Sequence, residues 1–202
     1  MLPGRPCGRP ACIFMKTLII GLGNPILGDD GVGWAVAEQV RSVLSNRPPS
    51  PPIPLPLPLK DEGGRVHVPK GEGSGNEGQV EVDCVSLGGL SLMERLTGAE
   101  RVILIDSIFT GRKKVGTISQ FRLSDLPDLS AGHSASAHDT SLHNALNVGR
   151  SMQIDLPGDG NVIIVAIEAE NVYDFSQELS PAVAEAVPQA VRTVLDLLDS
   201  QK

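Results

Sequence analysis

The stretch Gly21-Leu22-Gly23-Asn24-Pro25-Ile26-Leu27-Gly28-Asp29-Asp30-Gly31-Val32-Gly33 constrains this chain most. Before it, Thr17 to Ile20 is an apolar run that reads as a buried strand. After it, apolar residues recur at helical spacing (Val32, Val36, Val40, Val43/Leu44), so Trp34 to Leu44 reads as a helix. Asp29 and Asp30 stand at or just before the first helical turn, where free N–H groups and the macrodipole favour negative charge. Capping uses one carboxylate and leaves the other for different work. A dinucleotide fingerprint, G-x-G-x-x-G after a strand, begins correctly at Gly21 and Gly23 but meets Ile26 at its third glycine. A bound phosphate would also face two carboxylates of its own sign. Paired carboxylates at the end of a strand suit a cation better.

The rest of the chain repeats the strand-then-helix theme. Gln79 to Val85 alternates as a strand, and Ser91 to Thr97 follows as a helix. Arg101 to Asp106 is the clearest buried strand, ending in a carboxylate. Val115 to Leu123 alternates as an edge strand, with loop at 124–137. His138 to Arg150 reads as a helix, Asn161 to Ile167 as a second continuous buried strand, and Pro181 to Leu198 as a last helix with Pro188 placed to kink it. Strands that are apolar on both faces and alternate with helices indicate an α/β fold. The five strand-like runs are expected to form one sheet with helices on both faces, three layers in all. Residues 1–15 are expected to be a disordered leader, with Met15 an alternative start, and 16–202 a single domain. Seven prolines between residues 48 and 58, then a Gly/Ser/Glu-rich run, mark 47–78 as an inserted surface loop in which His67 has no chemical role.

Composition excludes several functions. A net charge of −7 suits neither nucleic acid nor an anionic membrane, and no apolar run approaches the roughly 20 residues that span a bilayer. The expectation is a cytoplasmic protein without nucleic-acid or membrane partners. The cysteines, Cys7, Cys12 and Cys84, are odd in number and form no C-x-x-C, which supports neither a disulfide framework nor a zinc finger. Cys84 is expected to be a buried small hydrophobe. No H-E-x-x-H or G-x-S-x-G occurs.

In open α/β sheets, ligands bind beyond the carboxyl ends of the strands. Asp30, after the first strand, and Asp106, at the end of the third, should open onto that edge. The loop Ala131 to Ala137 can carry His138 over it. Two carboxylates and an imidazole make an oxygen/nitrogen ligand set for a divalent first-row metal. Each residue has a plainer alternative: Asp30 as a helix cap, Asp106 as a strand end or a turn cap with Ser107, His138 as an ordinary helix residue. His133 and His143 are weaker candidates. His143 lies five residues beyond His138, about 500° around a helix, so the two do not share a face.

The chain resembles the hydrogenase maturation endopeptidases from about Lys16 to Leu198. It contains the family's G-x-G-N-x-x-x-x-D-[DE]-x-x-G signature as Gly21, Gly23, Asn24, Asp29, Asp30 and Gly33. It also has an acidic residue in Ile105-Asp106-Ser107 and a histidine in Ala137-His138-Asp139. Glu168 after the late strand and the helix start Leu179-Ser180-Pro181 fit too. The resemblance implies an α/β fold with a twisted, mainly parallel five-stranded sheet between helices, and a nickel-recognising endopeptidase that removes the C-terminal extension of a [NiFe]-hydrogenase large-subunit precursor. Asp30, Asp106 and His138 would contact nickel carried by that substrate, in a site other divalent ions could also occupy. Residues 87–90, Leu-Gly-Gly-Leu, stand where some members have Asp-Gly-Gly-Thr. Gly88 and Gly89 are therefore candidates for substrate recognition, while the acidic and hydroxyl groups that help choose the client are missing. The enzyme is expected to be a monomer. The competing expectation is a nickel-sensing chaperone of the large subunit that holds the precursor without cutting it.

Overall fold

The computed structural model describes residues 16–46, 59–60, 66–67, 79–125 and 137–200; of 59–60, 66–67 and 137–141 it describes the backbone alone. The leader, His133 and most of the 47–78 insertion lie outside the described residues. β1 (Thr17–Leu22) is buried along its whole length. Leu18, Ile20 and Leu22 face one apolar cluster and Ile19 faces the other, so the strand shows no polar alternation. β5 (Arg101–Ile108) and β7 (Val162–Glu168) are buried throughout for the same reason. With β4 (Val80–Val85) and β6 (Ile118–Arg122) at the edges, the sheet order is β4-β1-β5-β7-β6. Every pairing is parallel except β6 with β7.

Helices cover both faces. α1 (Val32–Ser45) and α4 (Pro181–Asp199) pack on Ile19, Ile103, Ile105 and Val165. α2 (Gly89–Arg95) and α3 (Ala137–Ser151) pack on Leu18, Ile20, Val102, Leu104 and Ile164. This is the expected three-layer α/β fold. Gly33 sets how closely α1 lies on the sheet, since a Cβ there would collide with the carbonyl oxygens of Leu22 and Ile105. Within the insertion, β2 (Leu59–Lys60) pairs antiparallel with β3 (Val66–His67), so the chain doubles back there.

Three expectations need adjustment. β5 does not end at Asp106, because Ser107 and Ile108 continue its pairing with Ile167 and Glu168. Alternation then puts Asp106 on the α2/α3 side and Ser107 on the α1/α4 side. β6 is shorter than its alternating pattern, because Gly116, at φ +85°, belongs to the turn before it. α4 runs from Pro181 to Asp199 without interruption at Pro188. Pro188 and Ala184 are both exposed, so the carbonyl left without a donor is open to water.

The amino edge of the sheet is closed by polar contacts. Arg101, only 6 % exposed, donates from Nη2 to the carbonyl of Leu197 at 2.8 Å, satisfying an orphan acceptor in the last turn of α4. Burial, with Arg122 nearby, draws its guanidinium below the usual arginine range. On the outer strand β4, Arg95 of α2 pairs with both Glu81 and Asp83, and Lys16 reaches Glu81 at 3.1 Å. Cys84 faces the α1 cluster half-buried, and burial pushes its thiol above the usual value.

Candidate active site

The carboxyl edge of the sheet is built on the turn after β1. Gly23 sits at φ +117°, and a Cβ there would strike the carbonyl of Asp30, so the turn needs glycine at this point. A 3-10 turn, Gly28–Gly31, then leads into α1. Successive residues of a 3-10 turn point about 120° apart, which separates the two aspartates. Asp29 is fully buried and accepts from Ser180 N–H (2.7 Å), Ser180 O–H (3.0 Å) and Asn171 N–H (3.3 Å). Ser180 is the N-cap residue of α4, so Asp29 ties the start of the last helix to the first turn of the chain. Neither aspartate caps α1, whose N-cap Gly31 makes no side-chain cap bond. The expected capping role moves to a different helix.

Asp30 is partly exposed. Its Oδ2 accepts from Asn24 N–H at 2.7 Å and its Oδ1 from Ser107 O–H at 3.2 Å. Asp106, 3 % exposed, accepts the Ser107 N–H on its own Oδ1 at 2.9 Å, among its interactions. Ser107 thus donates once to each carboxylate and joins β5 to the glycine turn. The turn bond between Asp106 and Ser107 is present, and it coexists with a position towards the carboxyl edge of the sheet.

His138 stands in the first turn of α3, and its side chain lies outside the described residues. The far end of α3 is at the amino edge, where Gly98 N–H, just before β5, donates to the carbonyl of Asp155 in the connection from α3 to β7. Fifteen helical residues, about 22 Å, therefore carry the α3 start and the His138 backbone towards the carboxyl edge. Gly88 and Gly89 reach the same rim. Ser86 O–H donates to Gly23 O at 2.6 Å and Trp34 Nε1–H to Val85 O at 3.3 Å, fastening the end of β4 beside the glycine turn. Gly88 is the extended N-cap of α2, and Gly89 follows at φ +56°. Among the described residues, no three His, Cys, Asp or Glu side chains cluster closely enough to hold a metal ion. A depression of about 470 Å³ lined by Ser42, Leu44, Asn46 and Leu195 lies at the other ends of α1 and α4.

A protein-family profile described as HycI, hydrogenase maturation protease, matches residues 76–197. The chain belongs to the hydrogenase maturation protease family. It is therefore read as a peptidase. The matched span of this maturation protease contains Gly88, Gly89, Asp106, His138 and Glu168, and the turn bearing Asp30 lies upstream of it. Solved structures with the same fold include the hydrogenase maturating endopeptidase HybD from E. coli, 20 % identical over 93 % of this chain and 94 % of that one, with a TM-score of 0.62. The [NiFe] hydrogenase maturation protease HybD from Thermococcus kodakarensis is 20 % identical over 91 % and 99 %, with a TM-score of 0.61. The [NiFe] hydrogenase maturation protease HycI from Thermococcus kodakarensis KOD1 is 15 % identical over 92 % and 93 %, with a TM-score of 0.55. At these identities the likeness is one of fold. No curated protein sequence matches the chain. No helix among the described residues of this maturation protease is long and apolar enough to cross a membrane.

Several contacts of the candidate site have no signal in the sequence. Ser107 reads there only as a turn partner of Asp106, Ser180 only as part of a family-like helix start, and Asn171 as an ordinary polar residue; their partners lie 77 to 151 positions away. Glu168 was noted only as fitting the family. It is 2 % exposed and accepts from Thr110 N–H (2.7 Å), Thr110 O–H (2.8 Å) and Gly111 N–H (3.0 Å). It therefore holds the loop that leaves β5 just beyond Asp106. The available signal was a carboxylate ending an otherwise apolar central strand, the same signal that singled out Asp106.

Proposed function

We propose that this protease removes the C-terminal extension of a [NiFe]-hydrogenase large-subunit precursor after nickel insertion, with Asp30, Asp106 and His138 contacting the nickel that the substrate carries. The observation supporting this is the placement of Asp30 and Asp106 on one edge of the sheet, each bonded to Ser107. Asp30 suits a cation. Each of its oxygens accepts one hydrogen bond, and an ionised carboxylate has about four lone-pair sites. Its partial exposure leaves a way in from solvent. Carboxylate and imidazole are donors that nickel accepts, as do other divalent first-row ions.

The substrate's nickel would supply recognition and Lewis-acid polarisation. The chain's own residues hold the precursor in register and orient the scissile peptide. A carboxylate on this rim accepts the proton of the attacking water. Gly88 and Gly89, fastened beside the glycine turn, present backbone to the client close to the metal.

The test uses purified large-subunit precursor, nickel-loaded and nickel-free. The expected result is a size shift in the loaded sample alone. Asp106→Ala should abolish that shift, a loss larger than the roughly 10- to 100-fold that removing a supporting partner of a metal ligand costs. Because the buried carboxylate accepts the Ser107 N–H, about 1–3 kcal/mol of stability should be lost in urea unfolding, and processing is compared per folded molecule. Equal processing of nickel-free precursor, or processing at the parent rate by Asp106→Ala, would reject the assignment. Stable co-elution with loaded precursor and no cleavage would favour a holding role over a cutting one.

A further inference from the structure

Ten large hydrophobic side chains are exposed among the described residues, and six of them, Ile26, Leu87, Leu90, Phe109, Tyr173 and Phe175, follow the carboxyl ends of the strands. The whole sequence has only six aromatic residues, and three stand on this rim. Tyr173 and Phe175 are 86 % and 87 % exposed, an unusual cost for aromatic rings with no role outside the fold. Their loop is fixed to the site. Gly28 N–H donates to Ser176 O and Ser176 N–H to Ile26 O, so the loop lies along the turn that holds Asp30. Asp29 N–H donates to Asn171 O, and Asn171 N–H returns to the Asp29 carboxylate. Phe109 is the residue after β5, the strand that carries Asp106. Glu170, Asp174 and Glu178, all exposed, flank the two rings.

We infer that this rim, led by Tyr173 and Phe175, is the docking surface for the large-subunit precursor, through an apolar patch on the precursor bordered by Lys and Arg. The inference rests on the function proposed above. A substrate whose metal reaches Asp30 and Asp106 must pass over the loop bonded to their turn. Buried aromatic anchors carry most of the affinity in interfaces of this kind. The acidic flanks require a basic border on the partner and disfavour a second copy of this acidic chain.

The test measures both binding and cleavage of nickel-loaded precursor by the full chain. Tyr173→Ser combined with Phe175→Ser removes little packing from the fold, and circular dichroism should match the parent. We expect Kd and KM to rise roughly 30-fold with kcat retained. Met152→Ser, also exposed but beyond the opposite end of α3, is the control and should change neither. Asp174→Lys should raise KM as well, and an unchanged or lowered KM would overturn the basic border. An unchanged KM in the double variant, a fall in kcat alone, or a shift in oligomeric state in place of KM overturns the docking surface. If the parent binds precursor without cutting it, the cleavage proposal fails while Kd still reads the docking surface. If the parent neither binds nor cuts, both fail.

Discussion

The two edges of this sheet are finished in opposite ways. At the amino edge, polar groups are consumed within the fold: Arg101 is buried against the Leu197 carbonyl, and Arg95 closes over Glu81 and Asp83. At the carboxyl edge, glycine turns replace regular structure, Asp30 remains partly exposed, and six large apolar side chains face solvent. The exposed aromatic side chains and the partly exposed carboxylate of Asp30 lie on the second edge, whereas the exposed apolar residues elsewhere, such as Val80 and Met152, are not aromatic. The same contrast recurs on a smaller scale between Asp29 and Asp30. One is fully buried and sealed by three donors, while the other accepts two hydrogen bonds and is partly exposed.

The largest effect expected on this contrast comes from Asp30→Ala. Under the function proposed above, in which Asp30 contacts the substrate's nickel, processing of nickel-loaded precursor should fall by more than about 100-fold, beyond what loss of a supporting partner costs. The urea midpoint should move little. Asp29→Ala should behave in the reverse way. It orphans two N–H groups and a hydroxyl near a buried position, and about 3 kcal/mol of stability should be lost. The kcat of the molecules that remain folded should be retained. If both variants lose activity at unchanged stability, the division of labour between the two aspartates is wrong.

A third variant probes the amino edge. Arg101→Met keeps the stem and removes the donor to Leu197, which should lower stability by about 1–2 kcal/mol in chemical denaturation without altering processing. The smallest expected effect is one of pH. Hydrogen bonds from Arg95 and then Lys16 hold the Glu81 carboxyl below its ordinary value of 4.5. A carboxyl lowered in the folded state contributes stability above its unfolded pKa and loses it as pH falls through the folded one. Unfolding scans at pH 7 and pH 3 should therefore differ less in Arg95→Ala than in the parent. The difference should stay below about 1 kcal/mol, because the pair is solvent-screened. A larger shift would mean that the amino edge is less saturated than the contacts indicate.

Much of this was legible in one dimension. The unbroken apolar runs of β1, β5 and β7 required helices on both faces, and parallel strands required Asp30 and Asp106 to share an edge. The Gly21–Gly33 stretch signalled a tight turn. The partition of Asp29 from Asp30 was not legible, since adjacent carboxylates look alike until a 3-10 turn aims them apart. Nor was the role of Ser107, which resembles any serine at a strand end.

The sequence by itself determined the α/β architecture and the edge that Asp30 and Asp106 share, because burial periodicity and strand direction are properties of short segments. The tertiary structure alone decided which aspartate is sealed, that Ser107 joins Asp30 to Asp106, and that the loop bearing Tyr173 and Phe175 is bonded to the turn that leads into Asp30. Those outcomes depend on contacts between residues 77 to 151 positions apart, and such contacts leave no periodic trace in the chain.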